Sequence, residues 1–207
     1  MRLQKIPREF YLRQTLSVAR DLLGLFFVRK IGRELLIGRI VEVEAYLGEK
    51  DPASHAYRGR TERNEVMFRE GGQLYVYFTY GMHFCCNVVT ESEGRGRAVL
   101  IRAVEPMEGI SRMIRNRSAS GGRAPADRAA LLRWLCSGPA RTCQAFGIAR
   151  RQNGTDLCAG SIWLARRPKD HERPHIVRSN RIGISNGQEH RWRFTLKGNP
   201  FVSQKTS

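Results

Sequence analysis

Residues 73–104, QLYVYFTYGMHFCCNVVTESEGRGRAVLIRAV, spell out three strands in succession. QLYVYFTY (73–80) is rich in the aromatic and β-branched types that suit a pleated, half-buried surface. Gly81 permits a turn, HFCCNVV (83–89) runs back, and AVLIRAV (98–104) follows the glycine-rich turn ESEGRGR. Strands joined in this way form an antiparallel meander. Period-two alternation places Tyr75, Tyr77 and Thr79 on one face and Val76 and Phe78 on the other. Tyr80 sits at the turn, where a ring can project outward.

Upstream of the meander, LFFVRK (25–30) and ELLIGRIVEVEAY (34–46) predict two more strands, joined at Ile31–Gly32–Arg33. Thr15 to Leu23 predicts an amphipathic helix with Leu16, Ala19, Leu22 and Leu23 on one face. Thr15 is its expected cap and Gly24 its stop. Residues 47–63, rich in Gly, Pro, Arg and Asp, form a long loop. Downstream, Pro106 fits the first turn of a helix running to about Arg115. NRSASGGRAPAD (116–127) loses periodicity, so a mobile basic loop is expected within 116–130. A helix is expected over 127–135 and another after SGP (137–139). Candidate strands follow at SIWLAR (161–166), RIGIS (181–185) and RWRFTLKG (191–198), with the polar loop KDHERPH between the first two. There is no internal repeat. This order predicts one α+β domain over 1–207: a curved antiparallel β-sheet core with packed helices.

The chain has 207 residues and a hydrophobic fraction of 41%, enough for a buried core. MRLQKIPREF lacks the apolar centre of a signal peptide, and no stretch approaches the roughly 20 apolar residues of a membrane helix. A soluble, intracellular protein with no membrane partner is expected. The charge narrows the partner further. Lys plus Arg is 36 against 19 acidic residues, a net +17. Lysine occurs only at 5, 30, 50, 169, 197 and 205, so 36 less 6 leaves 30 arginines. Arginine's planar fork binds phosphate at two points and stacks on bases, which suits a nucleic acid. An anionic membrane surface would attract the same charge but needs a basic amphipathic helix, and the one expected near 106–115 is short.

Five cysteines, at 85, 86, 136, 143 and 158, form no CxxC pair, and the five histidines form no HExxH pattern. An odd cysteine count without a secretion signal argues against a disulfide framework. Cys85 and Cys86 would point to opposite faces of one strand, poor geometry for a shared metal. No metal and no cofactor are expected.

Three constellations could carry chemistry. Glu42 and Glu44 in VEVEAY share one strand face, and a carboxylate pair is what glycosidic hydrolysis often uses. The same spacing also fits a strand whose outer face is simply wet. Tyr46, Asp51, Ser54, His55 and Tyr57 crowd the loop that follows. Tyr75, Tyr77, Tyr80 and Asn87 form the second group; rings at a hairpin in a cationic protein could stack a base or fill the gap that it leaves. They would equally well cover a core. Third, Arg102 lies within an apolar strand, where a charge is rare without a partner. It could pair with a carboxylate or reach a phosphate.

Taken together, SVARDLLG (17–24), GRIVEVEAYLGEKDPASHAYRGRTERNEVMF (38–68), GQLYVYFTYGMHFCCNVV (72–89), AVLIRAVEPMEG (98–109), LCSGPARTCQAFGI (135–148) and GNPFVS (198–203) resemble the alkyladenine (3-methyladenine) DNA glycosylase family. The resemblance implies a monofunctional enzyme of base excision repair. It would act on double-stranded DNA containing damaged purines, as a monomer in a bacterial type of cytoplasm or nucleoid. A flipped alkylated or deaminated purine would be hydrolysed from its sugar, leaving an abasic site. Glu44 falls on the family's catalytic acid, which activates water, and Arg102 on an arginine near that water and phosphate. Tyr46, His55 and Tyr77 would line the base pocket. Asn87 matches a gate against the amino group of guanine, and Tyr80 matches the residue that inserts into the duplex. His83 and Cys86 depart from the mammalian pattern beside the pocket. The lysines lie away from the matched motifs, apart from Lys50, so no amine is poised for a Schiff base. The alternative on the same scaffold is a non-catalytic nucleic-acid binding module, which would leave Glu44 without a chemical role.

Overall fold

A computed structural model describes residues 3–79, 81–166 and 175–203. Its centre is β3 (Glu34–Tyr46), whose bounds match the apolar and β-branched run seen in the sequence. β3 pairs antiparallel with β2 (Phe26–Ile31) along its first half and with β6 (Arg97–Glu108) along most of its length. The expected meander is present: β4 (Gln73–Thr79) pairs with β5 (His83–Thr90), and β5 with β6. β1 (Gln4–Lys5), β7 (Thr155–Asp156) and β8 (Ile162–Arg166) extend the sheet to the order β1-β8-β2-β3-β6-β5-β4-β7. β9 (Ile176–Ser179) and β10 (Arg193–Leu196) leave this path: β10 pairs with β9 and with the end of β3, setting Arg193 opposite Glu44. The result is the expected α+β domain on a curved antiparallel sheet.

The curvature has a visible cause. The β3–β6 register shifts between Ile37 and Gly38 and again on both sides of Glu42. Such bulges bend a strand and re-aim its side chains. At the first shift the strands come so close that a Cβ on Gly38 would lie 2.3 Å from Val104 Cγ1. Only glycine fits there without displacing β6.

Helices cover one face of the sheet. α2 (Thr15–Leu22) buries Val18, Ala19 and Leu22. α3 (Ile110–Ala119), α4 (Arg128–Cys136) and α5 (Pro139–Phe146) bury Met113, Leu135, Cys143 and Phe146, and the Phe146 ring lies 4.9 Å from Phe27. A short helix, α1 (Arg8–Tyr11), precedes them in the chain and buries Tyr11. No helix among the described residues is long and apolar enough to cross a membrane.

Five expectations need correction. Pro106 does not start a helix: it lies in β6 opposite Gly38, at a register shift where its missing N–H is tolerated. The helix begins instead after Gly109, which turns the chain at φ 77°. Residues 116–119 then complete that helix and Arg128 opens the next, so the loop expected within 116–130 narrows to 120–127. Asp127 ends it by accepting a 2.7 Å hydrogen bond from Ala130 N–H, an N-cap. Thr15 is a first helical residue rather than the cap, because Glu91 draws both its N–H and its hydroxyl. RIGIS (181–185) is irregular backbone and the strand lies earlier, at Ile176–Ser179. Cys86 is packed in the main core rather than beside the pocket. KDHERPH falls outside the described residues except for His175.

Candidate active site

Glu42 and Glu44 do share a face of β3, but it is not wet: both side chains are fully buried. Two carboxylates can stay buried together only if cations and donors match them. Arg102 spans the pair, its Nε 3.0 Å from Glu42 Oε1 and its Nη1 3.2 Å from Glu44 Oε2. Arg193 supplies the second positive charge, its Nε donating to Glu42 Oε1 at 2.7 Å. Ser203 N–H completes Glu42 at 2.6 Å. Burial works against ionisation of Glu42, yet Arg102, the Ser203 N–H and Arg193 outweigh it and hold the carboxyl below its usual range. Arg102 is held charged by the same pair against its own burial. Of the two readings of Arg102, the structure shows the ion pair with carboxylates; the side chain also lines a cavity.

Glu44 accepts two further hydrogen bonds. Tyr46 Oη donates to Oε2 at 2.9 Å and the backbone N–H of Ile182 donates to Oε1 at 2.7 Å. Burial and the neighbouring carboxylate push the Tyr46 phenol well above its usual value, so it remains a donor. Three donors occupy three of about four lone-pair directions on a carboxylate, which leaves room for one more.

Tyr46, Arg102 and Ile182 all face a cavity of about 420 Å³, and Glu44 therefore stands directly behind its wall. That volume lies within the range of about 300–1,000 Å³ typical of small-molecule sites. The other lining groups include His55, Tyr75, Tyr77, Cys85 and Asn87, which come from the loop after β3 and from the meander. The alternation seen in the sequence puts Tyr75 and Tyr77 on the cavity side, with ring centres 5.6 Å apart and planes 27° apart. His55 meets Tyr77 edge-on at 4.5 Å, and its Nδ1 lies 3.0 Å from Tyr75 Oη. Burial, aided by Arg63, lowers the His55 pKa, so the ring is neutral at pH 7. Asn87 is buried and its Nδ2 donates to the Tyr75 carbonyl at 3.3 Å. Burial raises Tyr75 to about 12 and Cys85 to about 11, so neither titrates near neutrality.

The structure thus brings Glu44, Arg102, Tyr46, His55, Tyr77 and Asn87 to one place. Tyr80 lies outside the described residues. Lys50 is exposed on a short turn and does not line the cavity. Four contributors escaped the sequence reading: Arg181, Ile182, Arg193 and Ser203. They lie in stretches read only as strands or as part of the resemblance (RIGIS, RWRFTLKG and GNPFVS); each reaches the site by a contact across more than a hundred positions. A second concavity of about 470 Å³ is lined by Glu70, Glu91 and Glu93. It carries no ring, and its carboxylates would repel a polyanion. Among the described residues no group of three or more His, Cys, Asp or Glu is placed to hold a metal ion.

A curved antiparallel sheet with a ring-lined cavity backed by paired carboxylates, on a chain of net charge +17, agrees with what similarity to other proteins shows. Residues 9–200 match the family model of methylpurine-DNA glycosylase (MPG), and the chain belongs to that family: it is a hydrolase of N-glycosyl bonds whose substrate is DNA. A protein of Carboxydothermus hydrogenoformans named "Putative 3-methyladenine DNA glycosylase" is 48% identical over 200 residues, covering 97% of this chain and 99% of its own. Proteins of the same name from Chlorobium phaeovibrioides (46% over 203 residues, 98% of each chain) and Francisella tularensis (46% over 194 residues, 93% and 95%) are also similar.

Proposed function

We propose that this chain is a monofunctional glycosylase of base excision repair that everts an alkylated or deaminated purine from double-stranded DNA and hydrolyses its bond to the sugar. One observation carries the reading: the three residues that hold Glu44 (Tyr46 through Oη, Arg102 through Nη1 and Ile182 through its N–H) all line the ring-walled cavity. Glu44 takes a proton from water through its remaining lone pair and steadies the positive charge that develops on the sugar. Arg102 pairs with that carboxylate and faces the same space. Tyr46, His55 and Tyr77 clasp the purine. Asn87 stands against its edge as a gate, and Tyr80 fills the gap left in the duplex.

The energetics fit a damage detector. Eversion costs a few kcal/mol, least for a damaged or mispaired base, and stacking returns about 1–3 kcal/mol. The two terms nearly cancel, so a lesion tips the balance. An alkylated purine is cationic, which adds attraction to electron-rich rings. It is also a good leaving group and needs little acid assistance. Among the described residues no lysine lines the cavity, which supports water rather than an amine as the nucleophile and an intact strand. The enzyme acts as a monomer inside the cell.

The test is direct. Duplexes carrying 3-methyladenine, hypoxanthine or ethenoadenine are incubated with the protein and EDTA, and abasic sites are scored. Abasic sites from at least one lesion, with no strand breaks before alkali, are expected. Tight binding with no base release from any of them would overturn the reading in favour of a binding module.

A further inference from the structure

We infer that Arg181, locked to Asp51, is a positioning residue for base release: one guanidinium aligns both the donor to Glu44 and a ring of the pocket. The inference rests on Glu44 being the general base. Both side chains of the pair are fully buried. Arg181 Nη1 lies 2.5 Å from Asp51 Oδ2 and Nη2 lies 2.8 Å from Asp51 Oδ1, a two-point grip. The same two nitrogens donate to the carbonyls of Ala45 at 3.0 Å and Gly187 at 3.3 Å. The guanidinium carbon lies 4.7 Å from the ring centre of Tyr46 and 5.0 Å from that of Trp192.

These contacts tie together the segments that build the site. Ala45 sits between Glu44 and Tyr46 on β3. Asp51 accepts from Leu47 N–H at 3.2 Å and Ala53 N–H at 3.1 Å, which sets the course of the loop that delivers His55. Gly187 lies in the irregular segment that carries Ile182. Arg181 immediately precedes Ile182, so its four hydrogen bonds fix where the Ile182 N–H points, and that N–H meets Glu44 Oε1. Its stacking on Tyr46 fixes the phenol that meets Glu44 Oε2. Two of the three donors to the carboxylate therefore depend on a residue that does not itself line the cavity. A buried ion pair is a weak source of stability compared with apolar residues of the same volume. The geometry that it imposes gives the pair a role beyond stability.

The test uses Arg181→Lys, which keeps the charge and loses the fork, and the double variant Asp51→Leu with Arg181→Met, which replaces the pair by apolar groups of similar size. Single-turnover release of a damaged purine at saturating enzyme is measured beside Glu44→Gln. Affinity is measured on a duplex with a tetrahydrofuran abasic analogue, and folding by thermal melting. A displacement near 1 Å costs up to about 100-fold in rate. Release is expected to fall about 30- to 100-fold in both variants, with affinity for the abasic duplex within about threefold of wild type. Release at the wild-type rate in either folded variant, with Glu44→Gln inactive, would overturn the inference and leave Glu44 in place. A matching fall in release and in duplex affinity would also overturn it, since that marks general loss of structure. If the double variant does not fold, Arg181→Lys decides. Full activity of Glu44→Gln would instead remove the general base, and this role with it.

Discussion

Glu44 and Ile182 stand 138 positions apart and are joined by a 2.7 Å hydrogen bond from backbone N–H to carboxylate oxygen. That contact closes the carboxylate on the side away from Arg102 and makes the segment after β9 part of the cavity wall. Glu44 is closed to bulk solvent, while the residues that hold it line the cavity.

Arg102 balances two buried carboxylates, so its removal leaves charge uncompensated. Breaking such a pair by deleting one partner costs about 3–5 kcal/mol. Arg102→Gln should therefore lower the melting temperature by about 6–20 °C for a domain of this size. Thermal unfolding followed by circular dichroism checks it; a drop under about 2 °C would mean that the pair is already well solvated.

Glu42 gives a pH signature. Burial alone would raise its pKa, but Arg102, Ser203 N–H and Arg193 hold it below the usual value. The unfolded chain, with glutamates near 4.3, then takes up this proton first as pH falls. Stability from Glu42 is complete above about pH 4.3 and is lost as pH drops from there through the lower folded value. Urea unfolding between about pH 6 and 3 should show stability declining on the acid side, with a shallower decline in Glu42→Gln. Equal slopes would contradict the assignment.

Tyr77 presents its ring to the cavity beside His55. Stacking on a base is worth about 1–3 kcal/mol. Tyr77→Ala should weaken affinity for a lesion-bearing duplex by roughly 5- to 150-fold while leaving undamaged DNA nearly unaffected. Competition binding with matched duplexes measures the difference, and equal loss on both would place the ring outside the base site.

Phosphate contacts should dominate affinity for undamaged duplex, given a net charge of +17. Each neutralised phosphate contributes a slope of about −0.9 to log K against log salt. A slope of about −3 or steeper is expected from a salt titration. A flat response would remove the electrostatic case for DNA.

Much of this fold was legible because its central elements carry local signals. ELLIGRIVEVEAY and the meander announce themselves by β-branched and aromatic alternation, and β3 follows its expected bounds to the residue. The same alternation put Glu42 with Glu44, which meet on Arg102, and Tyr75 with Tyr77, which line the cavity. Pro106 misled because its fixed φ serves a helix start and a bulged strand alike, and only the approach of Gly38 decides. Arg181 and Ile182 sit in RIGIS, whose alternation imitates a strand; their true partners, Asp51 and Glu44, lie 130 and 138 positions away. Contacts of that span leave no trace in neighbouring residues.

The central claim is that the carboxylate of Glu44 activates the water that releases the base. Its most direct test is single-turnover release of a damaged purine by Glu44→Gln, which keeps the shape and removes the base. A general base contributes about 10²–10⁴-fold, so release should fall at least about 100-fold while duplex affinity stays near wild type. Release within about threefold of wild type, on the order of 0.65 kcal/mol in barrier, would contradict the account.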